Sequence, residues 1–157
     1  MESHSKNTAR KFWEVTPIIM KAMSAEERRG EHGFNMVHYR ILRMISDRAC
    51  NLSHLAEGQN VSLPSISATV QTMVSRGWLR RKRSQHDRRV VYLTVTPRGR
   101  RVLEEESERM LDWMAGRLEP LTDKELQAIE KGMQLLNKAF EKDRPVIGEV
   151  HERVELL

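Results

Sequence analysis

The chain has 157 residues, of which 39% are hydrophobic and 31% charged, and its formal net charge is +5. This length suits a single domain, and the composition is polar without being that of a disordered chain. The sequence has no apolar run near the ~20 residues that a membrane span requires, and its N-terminal stretch MESHSKNTARKFW has no apolar export signal. The single cysteine, Cys50, excludes an internal disulfide, so we expect a cytoplasmic protein without membrane contact.

The N-terminal region predicts a helix over residues 6–28. Its apolar positions are Phe12, Trp13, Val15, Ile19, Met20 and Met23. Because a proline inside a helix removes a backbone hydrogen bond, Pro17 predicts either a kink or a new helix with Thr16 as its N-cap. Gly30 and Gly33 then mark a break.

A helix-turn-helix spacing follows this break. Residues 35–48 predict a second helix, whose inward positions are Val37, Ile41, Leu42, Met44 and Ile45. Two shorter helices come next, one capped by Ser53 and one capped by Ser62 and ending at Gly77. The short turn at residues 59–61 between them gives the spacing of a DNA-binding helix-turn-helix.

A basic hairpin is predicted after these helices. Residues 78–83 and 90–95 resemble strands, and the polar tip SQHDRR separates them. Residues 76–101 contain ten Lys or Arg and one Asp, a formal charge of +9, so the rest of the chain sums to −4. For an isolated charge run a solvated surface would be the better interpretation. Beside a helix-turn-helix pattern, the concentration of charge favours nucleic acid as the partner.

Two long helices complete the chain. Thr96 and Pro97 begin a helix that reaches about Glu119, and Thr122 with Glu125 fits a capping box that opens the last one. The apolar positions of this last helix are Leu126, Ile129, Met133, Leu136 and Phe140. Their spacing of three and four residues is typical of a coiled-coil seam, which requires a partner helix. Residues 143–157 form a tail without a clear pattern.

The helix at residues 62–76 separates into two faces on a helical wheel. Its inward side holds Ile66, Val70, Met73 and Val74. Its outward side has no acid and holds Pro64, Ser65, Ala68, Gln71, Thr72 and Ser75, with Ser67 at the edge. Small residues allow a helix into the major groove, and Gln reads adenine through paired hydrogen bonds. An ordinary surface helix, the alternative, more often turns Glu and Lys outward.

The arginines of the hairpin tip suit the negative potential of the minor groove, and Asp87 is expected to brace the tip by pairing with one of them. Alternatively they bind only phosphate, which gives affinity without sequence preference. The predicted DNA-binding residues are Ser62, Pro64, Ser65, Ser67, Ala68, Gln71, Thr72, Arg76, Lys82, Arg83, Gln85, His86, Asp87, Arg88 and Arg89.

With these motifs, residues 34–140 resemble the MarR family of bacterial winged-helix transcription regulators. The resemblance lies in GFNMVHYRIL at 33–42, in residues 52–103 and in the final capped helix, and the D-R-R tip followed by a strand and T-P-x-G is its most specific part. It implies an obligate homodimer formed by the first, fifth and sixth helices, a recognition helix at 62–76 and a wing at 83–90. It also implies that Asp87 braces the wing while an arginine beside it enters the minor groove. Ala68 departs from the many members that carry arginine there.

The expected fold is mainly α with a small β-hairpin, a single MarR-like domain over residues 1–157. Residues 34–100 would form the winged helix-turn-helix lobe, and residues 6–30 and 101–142 the helical dimerisation region. Dimerisation also has support from the residues alone, because a monomer could hardly bury the apolar positions of the last two helices. Two-fold symmetry then predicts a pseudo-palindromic operator.

The resemblance further implies a crevice for a small aromatic or phenolic effector. The candidate lining residues are Trp13, Met20, Met36, His38 and Arg43, each with plain packing as its alternative. Cys50 lies outside the first-helix region where the redox-responsive branch carries its reactive cysteine, so an inert thiol is expected. Glu31, His32 and His38 have no recognisable metal-ligand spacing, and we expect neither a metal nor a cofactor.

The sequence therefore predicts a dimeric, sequence-specific transcription regulator, a repressor that an effector releases from its operator. The alternative is a non-specific architectural protein that coats DNA. An enzyme is not expected, because the sequence has no phosphate-binding Gly-rich loop or nucleophile elbow. Glu104, Glu105 and Glu106 are consecutive on a helix, so they cannot converge on one substrate.

Overall fold

A computed structural model describes residues 3–47, 49–84 and 90–143. Within them the elements, in chain order, are α1 (His4–Glu27), α2 (Met36–Asp47), α3 (Leu52–Gln59), α4 (Leu63–Ser75), β1 (Leu79–Arg83), β2 (Val91–Val95), α5 (Pro97–Leu118), α6 (Asp123–Ala139) and a 3-10 turn (Glu141–Asp143). The expected fold class, mainly α with a small antiparallel hairpin, is confirmed. The chain divides into two compact units, one ending at Met36 and the other beginning at Val37.

In the first unit, α1 continues through Pro17. The Thr16 hydroxyl donates a hydrogen bond to the carbonyl of Phe12, one turn earlier, over 2.8 Å. Thr16 is therefore an interior helix residue, and the alternative that it caps a new helix is wrong. No residue of α1 is buried, and the Trp13 side chain is 79% exposed.

In the second unit, α2 supplies the centre of the core. The buried apolar residues of α2 are Ile41, Leu42, Met44 and Ile45, as predicted. The prediction for Val37 is wrong, because it is 44% exposed while its neighbour His38 is buried. His38 stands three, four and seven residues before Ile41, Leu42 and Ile45, which places it nearer the middle of the buried face than Val37.

The caps of α3 and α4 define the helix-turn-helix. The side-chain oxygen of Asn51 accepts a hydrogen bond from the backbone N–H of His54 at 2.9 Å, so α3 begins at Leu52. The predicted cap at Ser53 is wrong, because Ser53 already lies inside the first turn. The prediction for Ser62 is confirmed, since its hydroxyl accepts from the N–H of Ser65.

The hairpin is anchored in the core at its base. β1 and β2 pair antiparallel, in a register that runs from Leu79 opposite Val95 to Arg83 opposite Val91. On its other edge β2 meets Cys50, whose carbonyl accepts a hydrogen bond from the N–H of Leu93 at 2.8 Å. The buried side chains of Leu79, Leu93 and Val95 attach this part of the wing to the helices.

A tight joint connects the hairpin to α5. As predicted, Thr96 caps α5: its hydroxyl oxygen accepts from the N–H of Gly99 at 3.0 Å and donates to the carbonyl of Gly77. Gly99 is buried, and a Cβ at this position would collide with the backbone carbonyl of Trp78. The first turn of α5 therefore lies directly on the backbone that leads from α4 into β1.

The last helix, α6, begins with the predicted capping box. The Glu125 carboxylate accepts hydrogen bonds from the N–H of Thr122 at 2.8 Å and from its hydroxyl at 2.7 Å. These two bonds lower the pKa of Glu125, and the bond from the Thr122 hydroxyl has the larger effect. No residue of α6 is buried.

Candidate nucleic-acid interface

Helix α4 has the two faces that the sequence predicts. Ile66, Val70 and Met73 are buried, and the core holds the helix through them. The exposed residues on the other side are Pro64, Ser65, Ala68, Gln71, Thr72 and Ser75, while Ser67 is half-buried. The helix contains no charged residue from Leu63 to Ser75. It therefore presents an uncharged surface of small side chains and one amide.

Several hydroxyl groups of α4 donate to their own helix. Thr69 donates to the carbonyl of Ser65 at 3.2 Å, Thr72 to that of Ala68 at 3.2 Å, and Ser75 to that of Thr72 at 2.8 Å. Each hydroxyl oxygen keeps its capacity to accept, but its proton is already used. The outward face thus offers fewer donors than its composition alone indicates.

The end of α4 rests on a stack of three side chains. The guanidinium of Arg76 lies over the Trp78 ring, 5.0 Å from its centroid, and Trp78 is 2% exposed. The His38 ring meets Trp78 edge to face, with centroids 5.3 Å apart and an interplanar angle of 79°. The pKa of His38 is lowered mainly by burial and to a smaller extent by the charge of Arg76. Arg76, a predicted DNA contact, thus has a packing role in this structure.

Cations line the hairpin next to α4. Arg80, Arg81, Lys82 and Arg83 are consecutive in β1, so they alternate between its two faces. All are exposed except Lys82, which is half-buried, and Arg80 donates from Nε to the Thr94 hydroxyl at 3.1 Å. Arg80 and Arg81 are missing from the predicted contacts, although the unbroken run RRKR is the signal that includes them. The predicted tip residues Gln85, His86, Asp87, Arg88 and Arg89 lie outside the described residues.

Known proteins resemble this chain in sequence. Residues 32–90, which span the helix-turn-helix and β1, match the MarR family. This part of the chain therefore resembles MarR-family transcriptional regulators. The chain is 27% identical over 126 residues to the uncharacterized HTH-type transcriptional regulator YpoP of Bacillus subtilis (strain 168), covering 80% of this chain and 82% of that protein. The predictions of a DNA-binding regulator and not an enzyme are thereby confirmed.

Solved structures share the fold of this chain. A MarR family protein from Bacillus stearothermophilus matches with a TM-score of 0.74 and 18% identity, over 88% of this chain and 99% of that one. Streptococcus pneumoniae FabT in complex with DNA matches with a TM-score of 0.66 and 21% identity, over 86% of this chain and 98% of that one. At these identities the likeness concerns the fold alone.

The predicted effector residues are divided between the two units of the regulator. Trp13, Met20 and Met36 belong to the first unit, where Trp13 and Met20 are exposed and Met36 is half-buried. His38 and Arg43 belong to the second unit, where His38 is enclosed beside Trp78 and Arg43 is exposed. The alternative that Trp13 packs in a core is wrong for the single chain, because its side chain is 79% exposed. The packing alternative for His38 agrees with the structure.

Cys50 is fully buried, with its Sγ directed to the carbonyl of Met44 at 3.9 Å. A thiol enclosed in this way does not meet dissolved oxidants, which agrees with the expected inert role. Among the described residues, no three His, Cys, Asp or Glu side chains come together as a metal site would require. In the same part of the chain, no helix is long and apolar enough to cross a bilayer.

Proposed function

We propose that the protein is a homodimeric repressor that binds a pseudo-palindromic operator and is released by a small aromatic or phenolic effector. The observation that carries this proposal is the position of the uncharged outward face of α4 beside the cationic strand β1. A helix without charge on its outer face can approach base edges closely, and the neighbouring cations supply attraction to phosphate.

Helix α4 and the hairpin of β1 and β2 would contact different parts of the DNA. α4 would enter the major groove and read bases through Ser65, Ala68 and Gln71. The hairpin would approach the adjacent minor groove, with Lys82 and Arg83 near the phosphates and Arg88 or Arg89 at the tip. Sequence preference would then come mainly from α4, and most of the affinity from the hairpin.

Exposed apolar side chains on three helices support the homodimer. These residues are Phe12, Trp13, Val15, Ile18, Ile19 and Met20 on α1, Leu111 and Leu118 on α5, and Ile129, Met133 and Leu135 on α6. These are more exposed apolar side chains than a soluble monomer usually has, and Ile129 and Met133 follow a coiled-coil spacing. In a two-fold dimer the two copies of α4 would lie about one DNA turn, ~34 Å, apart.

The effector would act on that distance. A ligand that binds one dimer conformation better than another shifts the population toward it by the difference in its binding free energies. Release follows if the favoured conformation holds the two α4 helices at a distance that does not match the operator. Among the candidate contacts, Trp13 and Met20 are exposed on α1, and their aromatic and thioether groups suit an aromatic ligand.

Selection of bound duplexes from a random pool by the full-length protein, at fixed salt, tests the proposal. We expect one enriched sequence with two-fold symmetry and half-sites one turn apart. Repeating the selection with phenolic compounds should lower the retained fraction for at least one of them. Recovery of unenriched sequences with a steep salt dependence would instead identify an architectural protein, and no retention even at low salt would exclude DNA as the partner.

A further inference from the structure

We propose that α4 selects A·T base pairs, reading thymine methyl groups with Pro64 and Ala68 and adenine with Gln71. This inference rests on the proposed function, because it takes α4 as the element in the major groove. It concerns what the helix can read once it is there, and it follows from the groups that the outward face offers and lacks.

The outward face lacks what guanine requires. Guanine presents two acceptors in the major groove, N7 and O6, which proteins most often bind with the paired donors of Arg or with Lys. α4 contains neither from Leu63 to Ser75, and the nearest arginine, Arg76, has its guanidinium over the Trp78 ring. The hydroxyl protons of Thr72 and Ser75, on the same face, are given to helix carbonyls.

The same face offers what an A·T pair requires. Gln71 is exposed, and its amide pairs one donor and one acceptor, which match N7 and N6 of adenine. Pro64 and Ala68 are exposed apolar side chains four residues apart, so they occupy the same face. A helix rises ~1.5 Å per residue, so these two side chains are separated by about 6 Å, nearly two base-pair steps of ~3.4 Å each. Each can therefore meet the methyl group of a different thymine.

Uracil substitution in the selected operator tests the proposal directly. Deoxyuridine lacks only the 5-methyl group of thymidine, so it leaves every hydrogen bond of the base pair in place. One buried methyl contributes ~0.8 kcal/mol. We therefore expect the protein's affinity for the operator to fall about fourfold per half-site when a contacted thymine is replaced. Single replacements along the half-site, measured by gel-shift titration at fixed salt, then locate the contacted positions.

Protein variants connect the methyl effect to α4. In Ala68→Ser, a hydroxyl replaces part of the apolar surface, so the ratio of thymine to uracil affinity should fall toward one at one position. The matched control is Ala128→Ser, the same change at an exposed residue of α6, which should leave every ratio unchanged. At the located position, replacing T·A by C·G should weaken binding, and 5-methylcytosine should restore about fourfold over cytosine.

Two results would overturn the proposal while leaving the proposed function intact. One is an enriched operator whose fully uracil-substituted form binds with undiminished affinity. The other is an operator in which G·C pairs occupy the positions that respond to Ala68→Ser. If the random pool shows no enrichment at all, the proposed function fails and this inference fails with it.

Discussion

The winged-helix part of the chain and helix α6 belong to the same compact unit but are stabilised in different ways. α4 buries Ile66, Val70 and Met73 in a core built from this chain alone. α6 buries none of its residues, and Ile129 and Met133 are exposed although they follow a regular apolar spacing. In proteins the burial of an amphipathic face supplies most of a helix's stability. The contrast therefore indicates that α4 is stabilised within the chain, whereas α6 has an apolar face still available for a partner.

The largest expected effect comes from a charge placed on the α6 seam. Met133→Glu should reduce the stability of the proposed dimer by about 4 kcal/mol, because a buried interface residue contributes ~2 kcal/mol and appears twice in a two-fold interface. Sedimentation at micromolar concentration measures this change. Leu135→Glu is the matched control, since Leu135 and Met133 are 57% and 56% exposed but Leu135 lies off the seam. Equal dissociation of both variants, or of neither, would argue against a specific α6 interface.

A second test concerns the joint between the hairpin and α5. Gly99→Ala should lower the free energy of unfolding by about 2–3 kcal/mol, because the new Cβ forces the Trp78 carbonyl to move. Gly116→Ala, in the interior of the same helix, meets no atom within 4 Å and should raise it by about 1 kcal/mol. Urea denaturation measures both. A loss at Gly116 would show that another chain packs closely on that part of α5.

Acidification should weaken the lobe through His38. Its pKa is lowered from 6.5 by burial and then by Arg76, so the unfolded chain binds a proton more readily than the folded one. The stabilising effect is complete above pH 6.5 and is lost as the pH falls below that value. We expect a loss of up to about 1.4 kcal/mol per pH unit in urea denaturation between pH 7 and 5.5. His38→Gln should flatten this dependence, whereas His4→Gln, at an exposed position of α1, should not; an unchanged slope in His38→Gln would refute the assignment.

The smallest expected effect separates two candidate caps of α3. Asn51→Ala should cost about 1 kcal/mol, because it removes the hydrogen bond to the N–H of His54. Ser53→Ala should change the free energy of unfolding by less than ~0.5 kcal/mol, as an ordinary surface substitution does. The reverse order of the two effects in urea denaturation would restore Ser53 as the cap.

Local patterns account for most of what could be predicted. The two faces of α4, the caps at Ser62 and Thr96 and the capping box at Thr122 depend on residues within one or two turns of each other. Their physical causes are helix periodicity and hydrogen bonds to nearby N–H groups. The sequence therefore indicates both the helix-turn-helix and the helix face that its proposed DNA contacts share.

The remaining features depend on residues distant in the sequence. His38 is buried because Trp78, forty residues later, lies against its ring, and an apolar pattern confined to α2 does not include that partner. The arginine at the end of α4, Arg76, resembles a DNA contact in the sequence, but the same tryptophan holds its guanidinium. Gly99 gives no local signal of its contact with the Trp78 carbonyl, because the chain must fold before the two meet.

The absence of charge between Leu63 and Ser75, next to the cations of Arg80 to Arg83, has an evolutionary consequence. Under the proposed function, substitutions on the outward side of α4 would change which DNA sequence is preferred without weakening the attraction of the β1 cations to phosphate. Substitutions in β1 would change the overall DNA affinity without changing the preferred sequence. Under the same proposal, a duplicated copy of this gene would acquire a new target sequence while keeping its affinity for DNA.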